Sequence, residues 1–397
     1  MNETPLLSII IATKNREFYC IEAIKSILAI ESHELQIAIA DNSDSEKVKD
    51  FIDTLSDHRI IYKYDNSPTS SIENFNRCLS LANGEYICMI GDDDSVLPVI
   101  LDIAKWAKAN DVDSISSNSL IQYYWPNAYI GFDNGLLIYP LIESKIKSID
   151  SKKIIKKLVA DGIVNHYSYS IPRTYHGLVK RNLMNTIKAK TGSFYGGLSP
   201  DIYSSFALSS LVKNHYEFSL PFTIAGVCAK SSTAENLIGK HSGELKDMPH
   251  LKNKPDYIWD KNIPQYYGVY TTWCESALKA LSDMDEKELY GKFNVYPLLA
   301  IGILTNWKYI FKITIYKSEE IRKINNINFI VFWSKIIYNM MIQIRVRVSR
   351  ALNDKFYLKK SKITNVKNIK RAIAIISKTK QYLKRDNIFN HVGNIIY

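Results

Sequence analysis

At 397 residues, with 46% hydrophobic and 23% charged side chains and only 16 Gly and 12 Pro, the chain has a globular composition. That excludes disordered and collagen-like classes, and the length allows two or three structural units. The formal net charge of +11 is unevenly placed: residues 300–397 hold 20 Lys and Arg against 4 Asp and Glu, and the rest of the chain is mildly acidic. A basic tail on an acidic body implies an anionic partner or surface.

Five cysteines, Cys20, Cys78, Cys88, Cys228 and Cys274, are widely spaced with no C-x-x-C pair. This pattern suggests neither a zinc nor a redox motif and fits reduced thiols in a cytosolic protein. The N-terminus, "MNETPLLSIIIATKNR", has no basic n-region and reads as a strand rather than a signal peptide.

The first third alternates strands and helices. "LLSIIIAT" (6–13) and "LQIAIAD" (35–41) are short apolar runs suited to buried parallel strands. "REFYCIEAIKSILA" between them has helical spacing at Cys20, Ile24, Ile27 and Leu28. "SEKVKDFIDTLS" is expected to be helical, with Ser45 as its cap. "RIIYKYD" (59–65), the helix "SIENFNRCLSLA" and the strand "EYICMIG" follow, then a helix starting at Pro98 and one further strand, "DSISSNSLIQYY". Such alternation implies βαβ units and a parallel sheet covered on both faces, with ligands outside the carboxyl ends of its strands.

Residues 121–245 are mixed. Strand-like pieces at 129–132 and "FTIAGVCAK" lie among the helices "SKKIIKKLVAD" and "DIYSSFALSSLV". From 246 the pattern is helical, and Val269, Trp273, Ala277 and Leu281 read as a packing stripe. The expected units are 1–120, 121–245, 246–300 and 301–397.

The four strand ends are chemically pointed: Thr13-Lys14-Asn15-Arg16, Asp41-Asn42-Ser43, Asp65-Asn66-Ser67 and Asp92-Asp93-Asp94. In an open α/β sheet they share one edge. Three adjacent carboxylates cannot all stay ionised cheaply, and a divalent cation with hard oxygen ligands, Mg²⁺ or Mn²⁺, resolves the conflict. The plainer alternative is a solvated turn in which Asp94 or Ser95 caps the next helix.

"SIIIATKNR", "IAIADNSDSE", "ENFNRCLSLANGEYICMIGDDDSVLP" and "GGLSPDIYSSFAL" resemble family 2 glycosyltransferases of GT-A fold, over about residues 6–245. The resemblance implies an α/β fold with a mostly parallel sheet, and inverting transfer of a sugar from a nucleotide-sugar to an acceptor hydroxyl with Mn²⁺ or Mg²⁺. The family's D-x-D-D-x-x-x-P pattern, counted back from Pro98, places Gly91 at its first Asp, which is a departure. Asp93 is then the first choice for the metal, with Asp94 beside it and Asp92 toward the nucleotide. The resemblance places Asp41 at the base, commonly uracil, and Thr13 and Arg16 in the nucleotide loop. It places Asn74 or Arg77 near ribose or phosphate and makes Asp201 the general base, a role that needs reach to the acceptor hydroxyl. His241 is a candidate metal or phosphate contact. His166, His176, Tyr124, Trp125 and Tyr175 could line the acceptor site or simply pack. An Arg77 on a solvated helix face and an Asp201 that only complements a helix N-terminus are the structural alternatives.

In the tail, "NINFIVFWSKIIYNMMIQIRVRVSR" carries Lys335, Asn339, Gln343 and Arg347 as one polar stripe on a wide apolar helix. A central Lys disfavours spanning, and a helix in the membrane interface fits better. A second helix, "VKNIKRAIAIISKTKQYL", has Val366, Ile369, Ile373, Ile376 and Leu383 among lysines. Residues 301–397 are therefore expected to be a peripheral anchor on anionic lipid, with packing on the body or oligomerisation as alternatives. No nucleic-acid motif is present.

The sequence reads as a metal-dependent transferase on the inner face of a bacterial cell membrane. Its donor would be a UDP-sugar, and its acceptor a surface polysaccharide or lipid-linked glycan. A sugar nucleotidyltransferase and an inactive membrane scaffold are the rivals.

Overall fold

The computed structural model describes residues 4–128, 133–143, 145–231, 242–247, 251, 257–306, 310–356, 360–379 and 382. In chain order its elements are β1 (Leu7–Thr13), α1 (Glu17–Leu28), β2 (Leu35–Asp41), α2 (Lys47–Asp53), β3 (Ile60–Tyr64), α3 (Ser71–Leu81), β4 (Tyr86–Ile90), β5 (Ser95–Val96), α4 (Val99–Ala109), β6 (Ser114–Ser117), β7 (Ile121–Tyr124), β8 (Leu136–Tyr139) and β9 (Ile146–Ile149). There follow α5 (Ser151–Ala160), β10 (Gly177–Lys180), α6 (Arg181–Thr191), α7 (Pro200–Ser209), β11 (His215–Phe218), β12 (Thr223–Val227), α8 (Val269–Asp283), α9 (Lys287–Tyr290), α10 (Val295–Asn306), α11 (Phe311–Ile324), α12 (Phe329–Phe356), β13 (Ser361–Thr364) and α13 (Ile369–Ser377).

The main sheet has the order β3-β2-β1-β4-β10-β6-β11-β9. Its first four strands are parallel, as the βαβ pattern requires. β10 runs antiparallel to both β4 and β6. Alternation along β1 divides the core. Ile9 and Ile11 face the cluster that holds Cys20, Ile24 and Ile103 of α1 and α4. Ile10 faces the cluster that holds Cys78, Ile202, Phe206 and Ala277 of α3, α7 and α8. Both faces are thus buried, which is why these strands read as continuous apolar runs.

Four local expectations differ. "DSISSNSLIQYY" is two strands in two sheets, because the chain leaves β6 and enters a smaller sheet ordered β13-β8-β7-β12-β5. Ser45 does not cap α2; its hydroxyl donates to Glu17 Oε1 at 2.6 Å. Neither Asp94 nor Ser95 caps α4, because Ser95 starts β5. The apolar stripe of the second tail helix, α13, is turned inward: Val366, Ile369, Ala372 and Ile376 are buried in the core that contains α1. Leu383, residues 129–132 and His241 lie outside the described residues.

Candidate active site

Strand register assembles the site. Thr13 pairs with Asp41, and Ile11 pairs with both Ile39 and Ile90. Two residues beyond Ile11 and Ile90 lie Thr13 and Asp92, which therefore meet across the sheet edge. The Thr13 hydroxyl donates to Asp92 Oδ2 at 2.6 Å. Asn42 ties the next strand end in, donating through Nδ2 to the carbonyls of Asp65 and Ser67. The helix after β3 is pinned by a capping box: Glu73 N–H donates to Ser70 Oγ and Ser70 N–H to the Glu73 carboxylate.

The three aspartates occupy three different environments. Asp92 is fully buried, and Arg16 approaches it with Nη2 2.5 Å from Oδ1 and Nε 3.0 Å from Oδ2. Burial still raises its carboxyl, against Arg16 and Thr13. Asp94 sits at a junction. Its oxygens accept from Gly91 N–H at 2.6 Å, Gly226 N–H at 2.6 Å and the Tyr175 hydroxyl at 2.9 Å. His176 Nε2 lies 3.1 Å from Asp94 Oδ2, within ion-pair reach but out of line for a hydrogen bond. Burial would raise the Asp94 carboxyl, but His176 and the two backbone N–H groups outweigh it and hold it below the usual range. Asp93 is the least occupied. It accepts one N–H, from Cys228 at 3.1 Å, and lies 3.5 Å from Arg16 Nη1. Burial first, and Asp94 second, push its carboxyl up to about 7.

Gly91 and Gly226 make this packing possible. A Cβ on Gly91 would lie 2.9 Å from Asp94 Oδ2, so the place of the family's first Asp is taken by the Asp94 carboxylate. A Cβ on Gly226 would lie 1.8 Å from the Asp93 carbonyl oxygen. That carbonyl accepts the Trp125 indole N–H at 2.9 Å, so Trp125 supports the site from within the core.

A cavity of about 830 Å³ opens over these strand ends. Thr13, Arg16, Asp93 and Asp201 are all among the residues that line it. Asp201 stands in the first turn of α7, with Ser199 Oγ–H donating to its Oδ1 at 2.5 Å. Tyr175 also lines the cavity: burial raises its hydroxyl strongly, and the charges of Asp94, Asp93 and Asp201 add to the effect. The loop before α7 is held by α8, whose Ser276 Oγ accepts the N–H groups of Leu198 and Ser199.

Asp41, Arg77, His166 and Tyr124 are not among the residues that line the cavity. Asp41 is buried and accepts from Ser43 N–H and the Tyr62 hydroxyl. Arg77 pairs with Asp65 at 3.0 Å and donates to Thr69 Oγ1, while Asn74 lines the cavity. His166 is a core residue: burial lowers its imidazole to about 3, and it packs edge-on to Trp273 at 4.3 Å. Tyr124 is half-buried on β7. The cavity also takes Tyr270, Trp273, Thr305 and Asn306 from α8 and α10. The spacing of Val269, Trp273, Ala277 and Leu281 gave only a packing stripe. Ala277 and Leu281 pack in the core, and half-buried Trp273 packs against it while also lining the cavity.

The donor set suits an ion that keeps its own waters. Among the described residues no cluster of three or more His, Cys, Asp or Glu is arranged for a metal. Mg²⁺ and Mn²⁺ sites that use one or two carboxylates plus substrate phosphates do not need one. Asp93, with its raised carboxyl and free coordination, fits such an ion. The expectation that Asp94 serves it too runs against four existing contacts.

Residues 8–134 match the family model described as glycosyl transferase family 2. WcaA of Escherichia coli (strain K12), named for colanic acid biosynthesis glycosyl transfer, is 34% identical over 100 residues, 25% of this chain and 36% of WcaA. The GalNAc(5)-diNAcBac-PP-undecaprenol beta-1,3-glucosyltransferase of Campylobacter jejuni is 34% identical over 99 residues, 23% of this chain and 31% of that protein. The chain therefore spans about a third of the length of the curated relatives it matches. Among solved structures, S. aureus TarS 1-349 in complex with UDP-GlcNAc is similar at a TM-score of 0.43 and 13% identity, covering 81% of this chain and 93% of that one. The match falls on the strands and aspartates that build the cavity floor, so residues 8–134 are similar to glycosyl transferase family 2.

Proposed function

We propose that the chain is an inverting, metal-dependent glycosyltransferase that moves a sugar from a UDP-sugar to an acceptor hydroxyl in bacterial surface-polysaccharide or lipid-linked glycan synthesis, working at the cytoplasmic face of the membrane. The observation that carries this reading is that Asp93 and Asp201 line one cavity together with Thr13 and Arg16, Arg16 lying 3.5 Å from Asp93.

In this mechanism Thr13 and Arg16 meet the nucleotide; Asp41, buried and bonded to Ser43 and Tyr62, would reach its base only by giving up one of those partners. A bound Mn²⁺ or Mg²⁺ held by Asp93 would offset charge developing on the leaving diphosphate. Asp201 Oδ1 is committed to Ser199, which leaves Oδ2 to accept the acceptor proton. The acceptor oxygen bonds to the anomeric carbon from the face opposite the departing phosphate oxygen. The bond to that oxygen breaks, its electron pair leaves with the nucleoside diphosphate, and the configuration inverts.

The test compares Asp93→Asn and Asp201→Asn. UDP with Mn²⁺ should raise the melting temperature of the wild type and of Asp201→Asn but not of Asp93→Asn. Transfer should fall by about 10²–10⁴ in Asp201→Asn. Undiminished metal-dependent stabilisation in Asp93→Asn, or full transfer in Asp201→Asn, would remove the assignment.

A further inference from the structure

The long tail helix α12 is amphipathic in the opposite sense from a helix of a soluble protein. At 3.6 residues per turn, Phe332, Ile336, Asn339, Gln343 and Arg347 share one side. That side faces the protein. Phe332 and Ile336 are fully buried in a cluster with Leu299 and Ile303 of α10. Gln343 is buried, and Asn165 Nδ2 donates to its Oε1 at 3.5 Å. Arg347 Nη2 donates to the Tyr270 hydroxyl at 3.3 Å, and one turn on Arg350 donates to Asn165 and Ser168. On the opposite side, Ile330, Ile337, Met341, Ile344, Val348 and Leu352 are between 47% and 75% exposed. The polar stripe is turned inward and the apolar stripe outward. The neighbouring α11 adds exposed Phe311, Tyr316 and Ile324. Water is a poor solvent for such a surface.

We propose that this outer stripe seats α12 in the plane of an anionic membrane, at the boundary between headgroups and acyl chains. This rests on the membrane reading of the tail and assigns it to one helix face, with α13 taking no part. Charge chooses the occupant. From Phe329 to Leu352 there is no Asp or Glu, and of the four cations Arg347 and Arg350 bond to the protein, which leaves exposed Lys335 and Arg345 toward the surroundings. Arg345 lies beside the apolar stripe and is exposed, where it can meet lipid phosphates. A second copy of the chain on the same stripe would set these cations against their own counterparts. A spanning arrangement would pull Phe332 and Ile336 away from α10 and put Lys335 and Gln343 into hydrocarbon. An in-plane seat keeps every inward contact and covers the outer stripe.

The inner side links the seat to the cavity. Arg347 holds Tyr270, and Tyr270 lines the cavity wall. A seated α12 therefore places that wall beside the bilayer, where a saccharide carried on a lipid would arrive.

All five native cysteines are free, and all are buried, so one introduced thiol can be labelled selectively. The full chain carrying Met341→Cys with an environment-sensitive fluorophore should shift to the blue with phosphatidylcholine vesicles that contain phosphatidylglycerol, and brominated lipid should quench it. The same label at Lys47→Cys, exposed on α2, should not respond. Ile337→Glu/Ile344→Glu should weaken vesicle cosedimentation by more than about tenfold. That double variant should keep the wild-type melting temperature and its stabilisation by UDP with Mn²⁺, which separates failure of the seat from failure of the transfer reading. No wild-type sedimentation with vesicles, equal binding by the double variant, or a wild-type dimer that the double variant splits into monomers would overturn the proposal.

Discussion

At the scale of single residues, burial decides which carboxylates carry an unusual proton affinity. Glu275 of α8 is 1% exposed and accepts from the Tyr257 hydroxyl at 2.7 Å and Asp260 N–H at 3.3 Å. Burial, the largest influence, outweighs those bonds and pushes its carboxyl up to about 7. The folded chain thus holds the Glu275 proton more tightly than the unfolded chain, whose value is near 4.5. Its contribution to stability is complete below about 4.5 and is lost as pH rises to about 7. The difference corresponds to roughly 3 kcal/mol as an upper bound. Urea unfolding of wild type and Glu275→Gln at pH 5 and pH 8 reads it: the wild type should lose more stability between the two than the variant does. Equal losses would show that Glu275 titrates normally. No feature of "TWCESALK" announced this residue, because its environment comes from the distant 257–260 segment. The aspartate run was legible for a different reason: three like charges ending an apolar strand are costly wherever the strand lies. The sequence could not divide the roles within that run. Asp94 is tied up by Gly226 and Tyr175, which lie far along the chain.

At the scale of elements, two tail helices with similar sequence character have opposite fates. Both carry apolar repeats among basic residues. α13 turns its stripe to α1 and buries it, with Ile369, Ala372 and Ile376 at zero exposure. α12 turns an equally apolar stripe away from the protein. Periodicity marks a face but not what covers it, so the reading of the tail as one anchor merged two different elements. Truncation separates them. Ile376→Ala should destabilise by about 2–5 kcal/mol, as a large-to-small change in a packed core does. Ile344→Ala should stay within about 0.5 kcal/mol, as surface changes do. Chemical denaturation of both variants in the absence of lipid checks this, and a similar small cost at both positions would mean that α13 is not seated in the core. β1, β2 and β4 were legible because each is covered on both faces and is largely apolar, and β3, only partly buried, by its apolar/polar alternation. The smaller sheet was not, because β5, β8 and β13 are short and meet only after long excursions of chain.

At the scale of the whole molecule, contacts run between segments far apart in the chain. The last segment returns to the first. β13 pairs with β8, the Tyr123 hydroxyl donates to the Val366 carbonyl at 2.9 Å, and α13 closes over α1. α1 itself follows directly on the Thr13–Arg16 loop that lines the cavity. The strap made by β13 and α13 therefore braces the parallel half of the main sheet from outside, although it comes some 350 residues later in the chain. Ending the chain after Lys360 should uncover the side of α1 that α13 packs against, leave the buried Tyr123 hydroxyl without its acceptor, and expose one edge of β8. An unsatisfied buried hydroxyl alone costs about 1–3 kcal/mol, and the lost apolar burial adds to it. The melting temperature should fall by at least about 5 °C. Amide exchange should quicken in α1 and β8, while α8 and α10, in contact with neither, keep their protection. Vesicle binding should survive, because α12 is intact. An unchanged melting temperature would mean that the strap rests on the body without stabilising it.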